Sequence, residues 1–301
     1  MDRTELSQQR EELLSPEFLG KLEQLRLVSR KVFLGRMKGE RRSRRRGTSV
    51  EFADYRDYAR GDDLRFLDWN IYGRLDRLFT KLFHEEEDLH VYILVDRSRS
   101  MDYGDPNKFL HARRFAAALA YIALVGMDRV GMGAFSADDF RWFQPVRGPG
   151  QIQKVLRFLQ ELNASGATDL ETGALQFRVR QLRPGIILLL SDFFDPAGYE
   201  EGLRILTQGT NDVFAVQVLA PEEIRPDFVG ALRFLDMETD ERVEVSVSGE
   251  LIQQYRKRLA AYQEAIAQFC VHRGIHHMVT TSDEDLVTLI SYSLRRLGLV
   301  H

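Results

Sequence analysis

The chain lacks most of what would tie it to a membrane, a nucleic acid or a disulfide framework. Its 301 residues hold a single cysteine, Cys270, so no internal disulfide can form, and this usage fits a reducing compartment. Long apolar runs are missing: the longest nearly unbroken one is Phe115 to Met127, interrupted by Gly126, against the roughly 20 residues of a membrane span. The first residues, Met1-Asp2-Arg3-Thr4-Glu5, are polar, with no apolar signal core behind them. Strong net charge is missing too. A formal charge of −3 gives no global field toward nucleic acid. A soluble, cytoplasmic chain without transmembrane segment or nucleic-acid partner is the expectation. The seven histidines are scattered, and the one adjacent pair, His276-His277, opens a strand pattern that turns its side chains to opposite faces. No Gly-x-x-x-x-Gly-Lys-Ser/Thr loop is present, so the chain is not itself an ATPase of that class.

What is present is a 44% hydrophobic composition, enough for a full core, and one organising stretch, Leu89 to Met101. Its apolar part, rich in Val, Ile, Tyr and Leu, reads as a strand buried on both faces, and it runs into Asp96-Arg97-Ser98-Arg99-Ser100. Ligands of open α/β sheets sit just past such strand ends. Downstream, Gly166-Ala167-Thr168-Asp169 is a glycine turn bearing a hydroxyl, and Ile186 to Asp192 is a second buried-strand pattern ending in an acid. Three loops would thus gather Asp96, Ser98, Ser100, Thr168 and Asp192, a set of oxygen donors suited to Mg²⁺ or Mn²⁺. The bland alternative makes Ser98 and Ser100 turn residues and Asp96 a helix cap, which leaves Thr168 and Asp192 without a part. The order Asp-x-Ser-x-Ser, Thr, Asp resembles the metal-ion-dependent adhesion site of von Willebrand factor A domains. That resemblance implies metal ligation by these five residues, with one coordination position open for a carboxylate of a protein partner. Arg97, Arg99 and Asp169 are expected on the partner-binding rim, although Asp169 also fits as cap of the next helix.

The pattern along the chain predicts an α/β fold: a doubly wound, mostly parallel sheet flanked by helices, von Willebrand A-like, with an N-terminal α+β extension and an inserted β-hairpin. The extension is placed at residues 1–86 and the A-like domain at 87–301, with the hairpin at about 230–248. In the extension, Ser15-Pro16-Glu17 opens a helix. Residues 36–47 carry seven basic residues against one acid, read as a solvated linker because no aromatic is interleaved. Val50 to Trp69 alternates acids and Arg with aromatics, and is read as Arg–Asp pairs packed over rings, not as a catalytic carboxylate cluster. In the domain, helices are predicted over Asn107–Met127, Gly150–Leu162, Leu170–Leu182, Tyr199–Leu206, Leu251–His272 and Asp283–Leu297. Strands are predicted over Arg129–Phe135, Phe140–Phe143, Val213–Leu219, Ala231–Met237, Arg242–Val247 and Ile275–Thr280.

The block Gly61-Asp62-Asp63-Leu64-Arg65-Phe66-Leu67-Asp68-Trp69, followed by Phe79 to Glu86 and the Asp96 motif, resembles the bacterial family catalogued as domain of unknown function 58. The resemblance covers roughly residues 35 to 300. It implies a physical link to a MoxR-type AAA+ ATPase as partner, and no catalytic residue. The function expected is a metal-dependent protein-interaction module, a soluble adaptor and not an enzyme. The alternative is a metal-dependent hydrolase performing phosphoryl transfer with Asp96 as nucleophile. Against it, phosphatases of that kind place a second Asp two residues on as general acid, and here that position is Ser98.

Overall fold

The structure, a computed structural model, describes residues 52–59, 62, 64–83, 89–181, 183–227, 230–235, 242–286 and 288–290. The helix expected from Ser15, the basic run at 36–47 and most of the closing helix after Asp283 lie outside them. The described residues divide into two compact units, 52–83 and 89–290.

In the smaller unit, β1 (Phe52–Asp57) and β2 (Phe79–Phe83) pair antiparallel around helix α1 (Trp69–Leu75). Two carboxylates of the Gly-Asp-Asp block organise it. Asp62, 8% exposed, takes both oxygens to one Arg56 nitrogen at 2.7 Å and accepts from the Ala59 amide at 3.1 Å. Asp68 caps α1, accepting from the amides of Asn70 at 2.9 Å and Ile71 at 3.2 Å, while Tyr55 donates to its other oxygen at 3.0 Å. Arg77 pairs with Asp57 and lies over the Phe79 ring. These acids therefore serve as caps and ion-pair acceptors inside a small hairpin unit.

The larger unit is built on a six-stranded sheet in the order β10-β7-β6-β3-β4-β5. Its strands are β3 (His90–Asp96), β4 (Arg129–Phe135), β5 (Phe140–Arg147), β6 (Ile186–Ser191), β7 (Asp212–Leu219) and β10 (His276–Thr281). All neighbours run parallel except β5 against β4. β5 extends four residues beyond the predicted Phe143, because this antiparallel edge strand is nowhere fully buried and its polar residues break the apolar run. Helices α2 (Lys108–Val125), α3 (Ile152–Gln160), α4 (Leu170–Arg180), α5 (Glu200–Leu206), a single turn α6 (Pro221–Ile224) and α7 (Gly249–His272) complete it. Strands β8 (Gly230–Leu235) and β9 (Arg242–Val247) pair as an antiparallel two-stranded sheet before α7.

The period-two alternation of β3 explains both cores. Val91, Ile93 and Val95 join α2 and α3 in one buried cluster, whereas Tyr92 and Leu94 join α4, α5 and α7 in the other. The chain leaves β3 for α2 on the first face and leaves β6 for α5 on the second. The adjacent carboxyl ends of β3 and β6 therefore form the point where connections diverge, the place where open α/β sheets hold their ligands. Cys270 is buried in the second cluster, as expected of a core thiol, and burial pushes it up to about 12. No helix among the described residues is long and apolar enough to cross a membrane.

Candidate functional site

β3 delivers Asp96 to this point with none of its surface exposed. The chain then turns at once, because the Ser98 amide donates to Asp96 Oδ1 at 2.9 Å, an Asx turn that folds the two serines back over the strand end. Ser98 Oγ and Ser100 Oγ lie 3.0 Å apart, and Ser100 Oγ lies 3.4 Å from Thr168 Oγ1. Three hydroxyls from two loops thus converge beside one carboxylate. The second loop is stitched to the first by backbone: the Arg99 amide donates to Gly166 O at 2.9 Å and the Ser165 amide to Arg97 O at 2.7 Å. Gly166 sits at φ +74° with a Cβ position only 2.5 Å from Asp138 Oδ2, so the turn that presents Thr168 needs glycine.

β6 delivers the other carboxylate. Asp192 is fully buried; its Oδ1 accepts from the Phe194 amide at 3.0 Å and its Oδ2 from Lys108 Nζ at 2.9 Å. Its neighbour Ser191 donates to Asp96 Oδ2 at 2.6 Å and accepts from the Phe193 amide at 2.9 Å, so the two strand ends are tied directly. Phe193 is held at φ +63°, a left-handed conformation uncommon for a bulky residue. Burial, and next the charge of Asp192, push Asp96 up to about 7, against the opposing hydrogen bonds from Ser191 and Ser98. Among the described residues the Lys108 ammonium is the cation paired with these two buried acids, which leaves them short of positive charge. With three convergent hydroxyls, that deficit suits a hard divalent cation, so the donor set fits Mg²⁺ or Mn²⁺. Among the described residues no group of three or more His, Cys, Asp or Glu could hold a metal; the donors here are mainly hydroxyls.

Arg97, expected on the rim, is turned inward and only 6% exposed. Its guanidinium bonds Asp139 at 2.9 Å, the carbonyl of Asn163 at 3.0 Å and the Ser165 hydroxyl, bracing the loop that leads to Thr168. Arg99 is exposed beside the site, and half-buried Asp169 caps α4 by accepting from the Thr172 amide at 2.8 Å. Two groups at the site were not identified from sequence. Lys108, in the first turn of α2, is wholly buried between Asp192 and Glu223, the latter at 2.7 Å. Burial alone would lower its ammonium, but the charges and hydrogen bonds of Asp192 and Glu223 outweigh that and the net shift is upward. A lysine where an apolar helix begins was the available signal for it. Ser191, next to a recognised Asp, carried none. A separate cavity of about 420 Å³ is lined by Pro221, Glu222, Ile224, Arg225, Asp227, Thr281 and Asp283.

Comparison with known proteins places these residues in a family. An uncharacterised protein of Mycobacterium bovis is 25% identical over 207 residues, covering 66% of this chain and 64% of that protein. A Mycobacterium tuberculosis protein gives the same figures, and a Mycobacterium avium protein is 24% identical over 119 residues, covering 40% of this chain and 70% of its own. The match thus spans less than two thirds of the length of the first two relatives. Among solved structures, the conserved hypothetical protein BatB from Bacteroides thetaiotaomicron is similar at 16% identity and a TM-score of 0.44, covering 70% of this chain and 98% of that one. An aerotolerance-related membrane protein from Bacteroides fragilis is similar at 16% identity and a TM-score of 0.46, with the same coverage. Residues 54–266, more than half of the chain, match the family described as "Protein of unknown function DUF58", and the chain belongs to that family.

Proposed function

We propose that the site at the ends of β3 and β6 is a von Willebrand A-like, metal-dependent docking site for another protein. The observation that carries this reading is the convergence of three hydroxyls, with Ser98 Oγ 3.0 Å and Thr168 Oγ1 3.4 Å from Ser100 Oγ, at the strand ends that carry two fully buried carboxylates. Asp96, Ser98, Ser100, Thr168 and Asp192 would hold Mg²⁺ or Mn²⁺. A cation held largely by neutral hydroxyls stays electrophilic and offers a position to a carboxylate from the partner. The chain's own groups do the rest: Arg97 and the Gly166 turn fix Thr168, and the Ser191 bond fixes Asp96. Exposed Arg99 favours an acidic partner surface. A MoxR-type AAA+ ATPase is the partner proposed, with this chain as its adaptor.

The phosphoryl-transfer alternative fits less well. The position two residues past Asp96, where phosphatases of that kind carry their general acid, holds Ser98, which cannot act as one near neutral pH. The reading is tested by capturing the ATPase on immobilised protein with Mg²⁺, with EDTA, and with Thr168→Ala under both conditions. Capture that needs Mg²⁺ and Thr168 supports it, and retention of the complex in EDTA by both proteins contradicts it.

A further inference from the structure

Lys108 is an unusual residue for its place. It occupies the first turn of α2, at the positive end of the helix dipole, where a cation is disfavoured. Its neighbours Phe109 and Leu110 are buried and apolar, and Lys108 itself has no exposed surface. A buried ion pair seldom stabilises a fold more than apolar residues of the same volume would. Its use is therefore sought in the charge it sets. The ammonium is committed in two directions, 2.9 Å from Asp192 Oδ2 and 2.7 Å from Glu223 Oε1. Glu223 is in turn fixed by the Ala220 amide at 2.7 Å, and its own carbonyl accepts from Tyr255 on α7 at 2.8 Å. The lysine is thus held firmly against the one carboxylate that β6 contributes to the site.

Resting on the docking-site reading above, we propose that Lys108 sets the affinity of this site for a divalent metal low by claiming the charge of Asp192. With Oδ2 given to the ammonium and Oδ1 accepting from Phe194, Asp192 is a weakened donor, and the ammonium repels any cation that shares it. Of the two carboxylates at the strand ends, Asp192 is then matched by a cation and Asp96 accepts from Ser98 and Ser191. The bare ion is held weakly, and the carboxylate of a partner supplies the missing charge. Metal and partner therefore bind together rather than in sequence, and the site stays organised without metal because Lys108 already neutralises one acid.

The test is calorimetric titration of the full chain with Mn²⁺, comparing wild type, Asp96→Ala, Glu223→Gln and the double variant Lys108→Met/Glu223→Gln. The double variant removes one positive and one negative charge, so the net charge is unchanged and only the hold on Asp192 is released. It is expected to bind Mn²⁺ at least tenfold more tightly than wild type. Glu223→Gln alone leaves the ammonium to Asp192 and is expected to bind several-fold more weakly. Wild-type-like or weaker binding by a folded double variant overturns the proposal. Should that variant not fold, undiminished binding by Glu223→Gln overturns it instead. If Asp96→Ala binds as wild type does, or none of the four proteins binds Mn²⁺, the docking-site reading itself fails. Loss in Asp96→Ala with no change in the lysine and glutamate variants leaves that reading standing and removes only the role of Lys108.

Discussion

Ser191 Oγ donates to Asp96 Oδ2 across 2.6 Å, joining the ends of two parallel strands 95 positions apart in sequence. The same hydroxyl accepts from the Phe193 amide, so it also pays for part of the positive φ at that residue. Ser191→Ala removes both bonds inside a fully buried site. Hydrogen bonds to charged groups contribute about 1.5–3 kcal/mol, and a loss of that order is expected in urea unfolding. An unchanged midpoint would mean that the strand ends do not depend on this contact.

Arg97 is the brace between the Asp96 and Thr168 loops. Arg97→Met keeps much of the aliphatic stem but removes the donor to the Asn163 carbonyl, while Asp139, half exposed, keeps Arg141. A loss of about 1–3 kcal/mol is expected, the cost of leaving an acceptor without its donor, with little added by the solvent-screened pair to Asp139. The same variant should weaken Mn²⁺ binding, whereas Arg99→Met, at an exposed position, should leave stability within about 0.5 kcal/mol of wild type. Equal stability of the two variants would show that the inward position of Arg97 is of no consequence.

Two buried groups should oppose each other in the pH dependence of stability. Asp96 is raised to about 7, so between about 4 and 7 the folded state holds a proton that the unfolded state has lost, and this group's contribution falls as pH rises. Burial, and then the charge of Arg114, lower His111 to about 4. Between about 6.5 and 4 the unfolded state takes a proton that the folded state refuses, so this group's contribution falls as pH drops. In metal-free buffer, Asp96→Asn should raise Tm more at pH 7.5 than at pH 5, and His111→Gln should do the reverse. Scanning calorimetry at both pH values decides it, and parallel shifts would contradict it.

Much of the fold was legible because its strands are buried on both faces and so read as continuous apolar runs: Tyr92 to Val95, Ile186 to Leu190 and Val213 to Leu219 needed no tertiary information. Capping chemistry placed one helix start, at Asp169, which accepts from the Thr172 amide; the helix expected from Leu251 begins two residues earlier, at Gly249, where Ser248 caps it. The edge strand β5 was cut short because its pattern is half polar. At the site, the Asp-x-Ser-x-Ser order was visible because an Asx turn forces short spacing between its donors. Lys108, Glu223 and the inward turn of Arg97 were not, because their roles come from contacts across 115, 84 and 42 residues of chain that no local spacing encodes. Glu223 lies on a single-turn helix just after β7.

The hairpin unit makes a separate prediction. Asp62 gathers Arg56, the Ala59 amide and the Thr80 hydroxyl, all within residues 52–83. Asp62→Ala should reduce hydrogen-exchange protection of the Ala59 amide and the β1–β2 ladder by at least tenfold, about 1.4 kcal/mol of local opening free energy. Protection in β3 and β6 should be unchanged. Equal loss in both units would contradict a local role for this carboxylate.

The most direct measurement of the central claim is paramagnetic broadening by substoichiometric Mn²⁺ in amide spectra of the deuterated full chain. A metal held by Asp96, Ser98, Ser100, Thr168 and Asp192 should first erase the signals of residues 97–101, 166–169 and 192–194. Those of residues 221–227, around the separate cavity, should broaden later. Broadening that begins at 221–227, or that appears uniformly, would place the ion elsewhere and contradict the account.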